Sequence, residues 1–174
     1  MARGWGAVKK ITVTLDEKSI NSAIKQLSVY KKELSRKANL LVQRLIDAGV
    51  EIAKQEVMTL GAFDSGELHD SLDGLMYTDG AHGIIFTNCG HCAFVEFGTG
   101  LVGAGSPHPT MPWAYDTQNH GEAGWVYYDE KQGRFRWTKG MPSRPYMYLT
   151  ARQLEEKIAK LENGIETVLT REFD

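Results

Sequence analysis

Apolar residues alternate with threonines at the start of the patterned part of the chain: Ile11, Val13 and Leu15 are separated by Thr12 and Thr14. That period of two predicts a half-buried strand. Asp16 follows as the expected N-cap, with Ser19 as a second candidate. From Glu17 to about Leu60 the period becomes helical. Ile20, Ile24, Leu27 and Leu34 share one face, which Leu41, Leu45, Ala48, Ile52 and Val57 continue. Forty helical residues without an internal cap exceed the usual globular length, so a break is expected near Leu34 to Arg36, giving two helices or one long bent helix. Lys25, Lys31, Lys32, Arg36, Lys37 and Arg44 form the outer, solvated face.

Gly61 to Gly66 stops the helix, because Asp64 and Ser65 can bond the backbone amides that follow and Gly66 supplies turn freedom. Leu68 to Tyr77 then leads into a strand. Thr78-Asp79-Gly80-Ala81-His82-Gly83 reads as a hairpin turn between Leu75-Met76-Tyr77 and Ile84-Ile85-Phe86-Thr87. Ala93 to Thr99 is expected to be a third strand, with Phe94 and Glu96 on one face, Val95 and Phe97 on the other, and Gly98 and Gly100 closing it. A second hairpin is signalled by Trp125 to Tyr128, a turn from Asp129 to Gly133, and Arg134 to Trp137. Between the two lies a long glycine- and proline-rich loop, 101–124, of a length that is usually functional or disordered.

The last element has the strictest pattern. Met147, Ala151, Leu154, Ile158, Leu161, Ile165 and Val168 are spaced 4, 3, 4, 3, 4 and 3, an amphipathic helix with a narrow seam, and Pro145 suits its first turn. These elements together predict an α+β fold, an antiparallel sheet packed against long helices with an amphipathic C-terminal helix. Residues 1–10 lack periodicity and are expected to form a flexible arm, leaving 11–174 as a single domain.

Composition narrows the function. The 174 residues carry a formal charge of -2, and dedicated nucleic-acid binders are usually basic. No stretch approaches the roughly 18 apolar residues of a membrane span, and the first residues lack the apolar core of a secretory signal, so a cytosolic protein is expected. Two cysteines do not make a disulfide framework.

Few residues form a recognisable reactive pattern. Cys89-Gly90-His91-Cys92 matches a dithiol redox motif, yet the expected strand at 93–99 leaves no room for the helix that activates such a thiol. Two thiolates also fall short of the four ligands of structural zinc, and His69, His82, His108 and His120 have no finger spacing. Thiol exchange or zinc binding through Cys89 and Cys92 is therefore the alternative function, behind a pair of semi-buried thiols. Asp64, Glu67, His69 and Asp70 are explained by turn chemistry, and Ser106-Pro107-His108-Pro109 by a stiff extended loop. Trp125, Tyr127, Phe135 and Trp137 are expected to form hairpin core or a subunit contact rather than to stack bases. No catalytic, cofactor-binding or metal-binding residues are assigned.

Three stretches taken in order carry a resemblance. Ser65-Gly66-Glu67-Leu68-His69-Asp70-Ser71-Leu72, Cys92-Ala93-Phe94-Val95-Glu96-Phe97-Gly98-Thr99 and Arg144-Pro145-Tyr146-Met147 resemble, respectively, the turn, the Val-Glu-Phe-Gly-Thr segment and the Arg-Pro-Phe-Met helix start of the minor neck proteins of long-tailed bacteriophages, also called tail-completion or head-tail joining proteins. Cys92 stands where tyrosine is usual and Tyr146 where phenylalanine is usual. The resemblance spans about residues 16 to 170. It implies a non-enzymatic virion protein at the neck or tail top, assembled in the bacterial host cytoplasm as a homo-oligomeric ring. Its implied neighbours are the head-closure or connector protein and the tail-tube or tail-terminator protein, with DNA passing through the lumen without specific binding. Under that resemblance Glu96, Phe97, Gly98, Thr99, Arg144, Pro145 and the loop 101–124 are expected to be exposed subunit contacts.

Overall fold

The computed structural model describes residues 11–78, 80–117, 123–129 and 132–173, with side chains described as far as Leu161. The expected arm 1–10 lies outside the described residues. The fold is α+β: a long helix α1 (Glu17–Thr59), two separate antiparallel hairpins, and a C-terminal helix α5 (Tyr146–Phe173).

The first expected strand does not form. Among the described residues, 11–15 have no partner strand, and Leu15 is fully exposed. An alternating pattern predicts a strand only where another edge is in reach, since a lone strand leaves its backbone unpaired. Nor is there a break near Leu34 to Arg36. α1 runs unbroken for 43 residues, about 64 Å at 1.5 Å per residue. Between Glu17 and Ala48 there is neither glycine nor proline, so nothing in the backbone interrupts it.

Asp16 is the N-cap. Its Oδ1 accepts from the Ser19 amide at 2.8 Å, and its Oδ2 takes the Thr14 hydroxyl. These bonds, the Thr14 hydroxyl foremost, hold the Asp16 carboxyl below its ordinary value of 3.8. A group whose folded value is depressed stabilises above its unfolded value and loses that contribution as pH falls through the folded one. We expect protection from amide exchange at Ser19 and Ile20, corrected for intrinsic rate, to hold near neutrality and fade below pH 3.8. In Asp16→Ala it should already be lost at neutral pH. Equal protection in parent and variant at neutrality would mean that Asp16 does not cap α1.

β1 (Leu72–Met76) and β2 (Gly83–Thr87) form the first hairpin, in register from Leu72 opposite Thr87 to Met76 opposite Gly83. It lies on the second half of α1. Ile46 presses onto Gly74 and Gly83, where any β-carbon would collide with its side chain, so these two strand glycines let the helix approach closely. α5 crosses the same part of α1, fixed by the bond from Gln153 Nε2 to Glu56 Oε1 at 2.6 Å. The core sits at this crossing: Ala53, Val57, Leu68, Leu72, Cys89, Val95 and Tyr146 form one buried cluster. The other half of α1 projects beyond it, and Ala23 is its one buried residue before Ile46.

The expected strand at 93–99 is a helix instead, α3 (Cys92–Phe97). Val95 and Glu96 are adjacent and both buried, which a strand with opposed faces does not allow. The amides of Val95 and Gly98 instead bond back to the carbonyls of His91 and Phe94. A single helical turn, α2 (Glu67–Asp70), precedes β1. The expected loop 101–124 is also corrected in part: α4 (Gly100–Gly105) occupies its start. β3 (Trp125–Asp129) and β4 (Arg134–Thr138) pair as expected. The two-residue β5 (Gly140–Met141) bridges back to Thr99 and Gly100, at a point where Gly140 has φ +110° and a β-carbon would strike the Thr99 carbonyl.

Candidate functional site

The six residues expected as exposed contacts come together in one buried junction between α3 and α5. Glu96 lies at its centre, 7% exposed. Pro145 contributes the carbonyl that opens α5, accepting from Leu149 at 3.0 Å, so it holds the N-cap position. Proline has no side-chain oxygen to cap with. Glu96 supplies one from about fifty residues away: its Oε2 accepts from the Met147 amide at 2.9 Å and its Oε1 from the Tyr148 amide at 3.0 Å. Those are the second and third amides of the helix, the two that a capping side chain normally satisfies, and an acid there also faces the positive end of the helix dipole.

The rest of the junction fixes that carboxylate. Ser143 Oγ donates to the Glu96 carbonyl at 2.6 Å, and the Arg144 amide donates to the Val95 carbonyl at 2.9 Å. Thr99 Oγ1 accepts from the Met141 amide at 3.1 Å. Gly98 is buried with φ +80°, and a β-carbon there would reach within 2.6 Å of the Ser143 amide nitrogen. The exposure on which an interface role for Glu96 and Gly98 was expected is therefore not present. Pro145, Thr99, Phe97 and Arg144 are partly exposed.

His108 is the partner that the sequence did not signal. The expected stiff, extended segment turns inward, and the imidazole is buried at 7% exposure. Its Nδ1 accepts from the amides of Thr110 and Met111 at 3.3 and 3.2 Å. Nε2 therefore carries the proton and donates to Glu96 Oε1 at 3.2 Å. Aromatic contacts complete the lining. Phe97 stacks on Trp113 with centroids 4.5 Å apart and lies 4.9 Å from His108, and Tyr148 meets His108 edge-on at 5.5 Å. Tyr115 donates its hydroxyl to the Phe97 carbonyl at 3.0 Å and accepts from the His108 amide at 3.2 Å. The segment 106–117 is thus pinned to α3 by a histidine and a tyrosine, both flanked by residues that carry no helix or strand signal.

Beside the junction is a cleft of about 740 Å³, lined by Ala62, Asp64, His91, Phe94, Trp113, Tyr115, Trp125 and Arg144 among others. The Cys89 and Cys92 thiols are free and pack near Tyr146 in the core. Burial foremost, with the nearby Glu67 carboxylate adding to it, pushes the Cys89 thiol above its ordinary value of 9.0. That is opposite to the shift a thiol nucleophile needs. A helix does follow the motif, contrary to expectation, but it is six residues long and starts at Cys92, so its first amides do not activate Cys89. Burial likewise raises the Tyr146 hydroxyl. The junction is a satisfied polar network: no buried side-chain nitrogen or oxygen among the described residues lacks a partner.

No family model, curated protein or solved structure matches this chain.

Proposed function

We propose that this protein is a non-enzymatic structural component of a long-tailed bacteriophage or prophage virion: a ring-forming neck or tail-completion subunit that joins the tail to the DNA-filled head. The observation that carries the proposal is the unfinished apolar face of α1. Ile20, Ile24, Leu27, Leu34 and Leu41 lie between 42% and 56% exposed along the projecting half of the helix. Their spacing of 4, 3, 7 and 7, with Lys31 and Ala38 at the intermediate positions, is that of a seam made to pack against another helix or sheet. The seam runs about 32 Å at 1.5 Å per residue. A row of five half-exposed large apolar side chains is more than the scattered single residues that an ordinary surface carries.

A second patch lies on a separate element. In the β3–β4 hairpin Val126, Tyr127, Tyr128, Phe135 and Trp137 are all exposed, from 43% for Tyr127 to 74% for Phe135, so these aromatics are not hairpin core. Closed rings need two unlike patches per subunit, one meeting the other on the neighbour, and the α1 seam and this hairpin are such a pair. The resemblance supplies the place in the virion, and its three stretches lie in contact: Leu68 and Leu72 from the first, Val95 from the second and Tyr146 from the third share one buried cluster. With a net charge of -2, DNA is expected to pass the ring without being gripped.

The test is electron microscopy of particles from a phage or induced prophage whose copy of this gene carries a stop codon. Filled heads separated from tails, or tails of uncontrolled length, are expected. Intact, infectious virions would overturn the proposal.

A further inference from the structure

We propose that Glu67, Cys89 and His91 form a binding site for a single divalent transition-metal ion of the zinc class, a thiolate, imidazole and carboxylate set built from two separate stretches of the chain. This goes beyond the neck assignment and does not depend on it. One ligand atom from each of the three residues lies within 4.8 Å of the other two. Cys89 Sγ is 3.2 Å from either His91 ring nitrogen, and His91 Nδ1 is 4.0 Å from Glu67 Oε2. A tetrahedral zinc ion, with bonds of about 2.3 Å to sulfur and about 2.0–2.1 Å to nitrogen and oxygen, places neighbouring ligand atoms roughly 3.4–3.6 Å apart. The observed separations bracket that range. The imidazole, about half exposed, needs only to turn about its side-chain bonds to aim one lone pair at the shared centre.

The donor types select the ion. A thiolate beside an imidazole favours zinc and its soft or borderline neighbours over magnesium or calcium, which prefer oxygen alone. Three protein ligands would leave a fourth position for water. The pairing differs from the one that Cys-Gly-His-Cys suggests in sequence: the third ligand is Glu67, at the start of α2, and Cys92 lies outside the set. Binding releases the Cys89 thiol proton to solvent and uses the neutral imidazole. Because a proton is released on binding, affinity should increase with pH through the neutral range. A bound ion would tie the turn after α1 to the segment between β2 and α3.

The experiment strips the full-length protein with a chelator, titrates it with cobalt(II) and then zinc, and reads the thiolate-to-cobalt charge-transfer band and the metal content. One equivalent is expected, with zinc displacing the cobalt. His91→Ala and Cys89→Ser should lose the band, and Glu67→Gln should weaken binding at least about tenfold, as for loss of one ligand. Cys92→Ser should bind as the parent does. Cys89 belongs to the core, so loss of binding in its variant also reports on folding, but Glu67 and His91 are exposed and keep the test decisive. No band in the parent would overturn the proposal. A band that survives Glu67→Gln unchanged but vanishes in Cys92→Ser would overturn it too, by assigning the metal to the cysteine pair.

Discussion

Replacing Glu96 with alanine is expected to lower the free energy of unfolding by about 3–9 kcal/mol, measured by urea denaturation. The carboxylate accepts three hydrogen bonds inside the protein, from the amides of Met147 and Tyr148 and from His108 Nε2. Truncation strands all three donors where little water reaches them, and each unsatisfied buried donor costs roughly 1–3 kcal/mol. Because a domain of this size is stable by only about 5–15 kcal/mol, such a loss removes a large share of its stability. Glu96→Gln separates capping from bulk. The amide oxygen can keep the Oε1 position and its two donors, while the amide nitrogen faces the Met147 amide, so roughly 1–3 kcal/mol should be lost. An alanine variant within about 0.5 kcal/mol of the parent, the range of ordinary surface changes, would show that the cap is not formed. Since the acid holds the fold together, loss of assembly in Glu96→Ala alone would not identify an intersubunit contact.

The second large effect is expected from the seam. Leu27→Glu combined with Leu34→Glu should leave the subunit folded and abolish its incorporation into particles. Both side chains are more than half exposed, and glutamate is a good helix former, so stability should change by no more than about 0.5 kcal/mol per site. Each leucine is little more than half exposed in the subunit, so covering it by a neighbour contributes roughly half of the 1.5–3 kcal/mol of full burial. Losing two should weaken that contact by about 10–150-fold, at 1.4 kcal/mol per tenfold, before any cost of burying the new charges. The readout is complementation of the stop-codon phage by the variant gene, with circular dichroism and thermal unfolding as the control for folding. A variant that rescues infectious particles as well as the parent gene would remove the α1 seam from the interface and leave the β3–β4 hairpin as the patch to test.

The two predictions bear on different links. Glu96 concerns how one chain closes on itself, and the seam concerns what it leaves open. They are separable because the seam residues lie on the half of α1 that projects beyond the core cluster of Ala53, Val57, Leu68, Leu72, Val95 and Tyr146.

Elements whose conformation is set by their own residues were legible in the sequence. α1 and α5 follow from helical periodicity, the two hairpins from glycine-bearing turns between apolar runs, and the start of α1 from Asp16. In the helices and the cap the deciding bonds join residues three or four positions apart, and each hairpin is set by the short turn between its strands, so local pattern suffices. Tertiary structure decided the rest. Ile11 to Leu15 alternate as a strand should, yet among the described residues no edge pairs with them. Residues 92–97 have the composition of a strand and form a helix, because that turn buries Val95 and Glu96 together and brings the acid to the open end of α5. Pro145, expected inside the first turn of α5, instead holds the N-cap position, where it has no capping side chain and the acceptor comes from elsewhere. The identity of that acceptor, the inward turn of His108 and the meeting of Glu67 with Cys89 and His91 join residues 12 to 52 positions apart, or 22 to 24 for the last set. At such separations a contact is fixed by how helices and hairpins pack, and no local period records it.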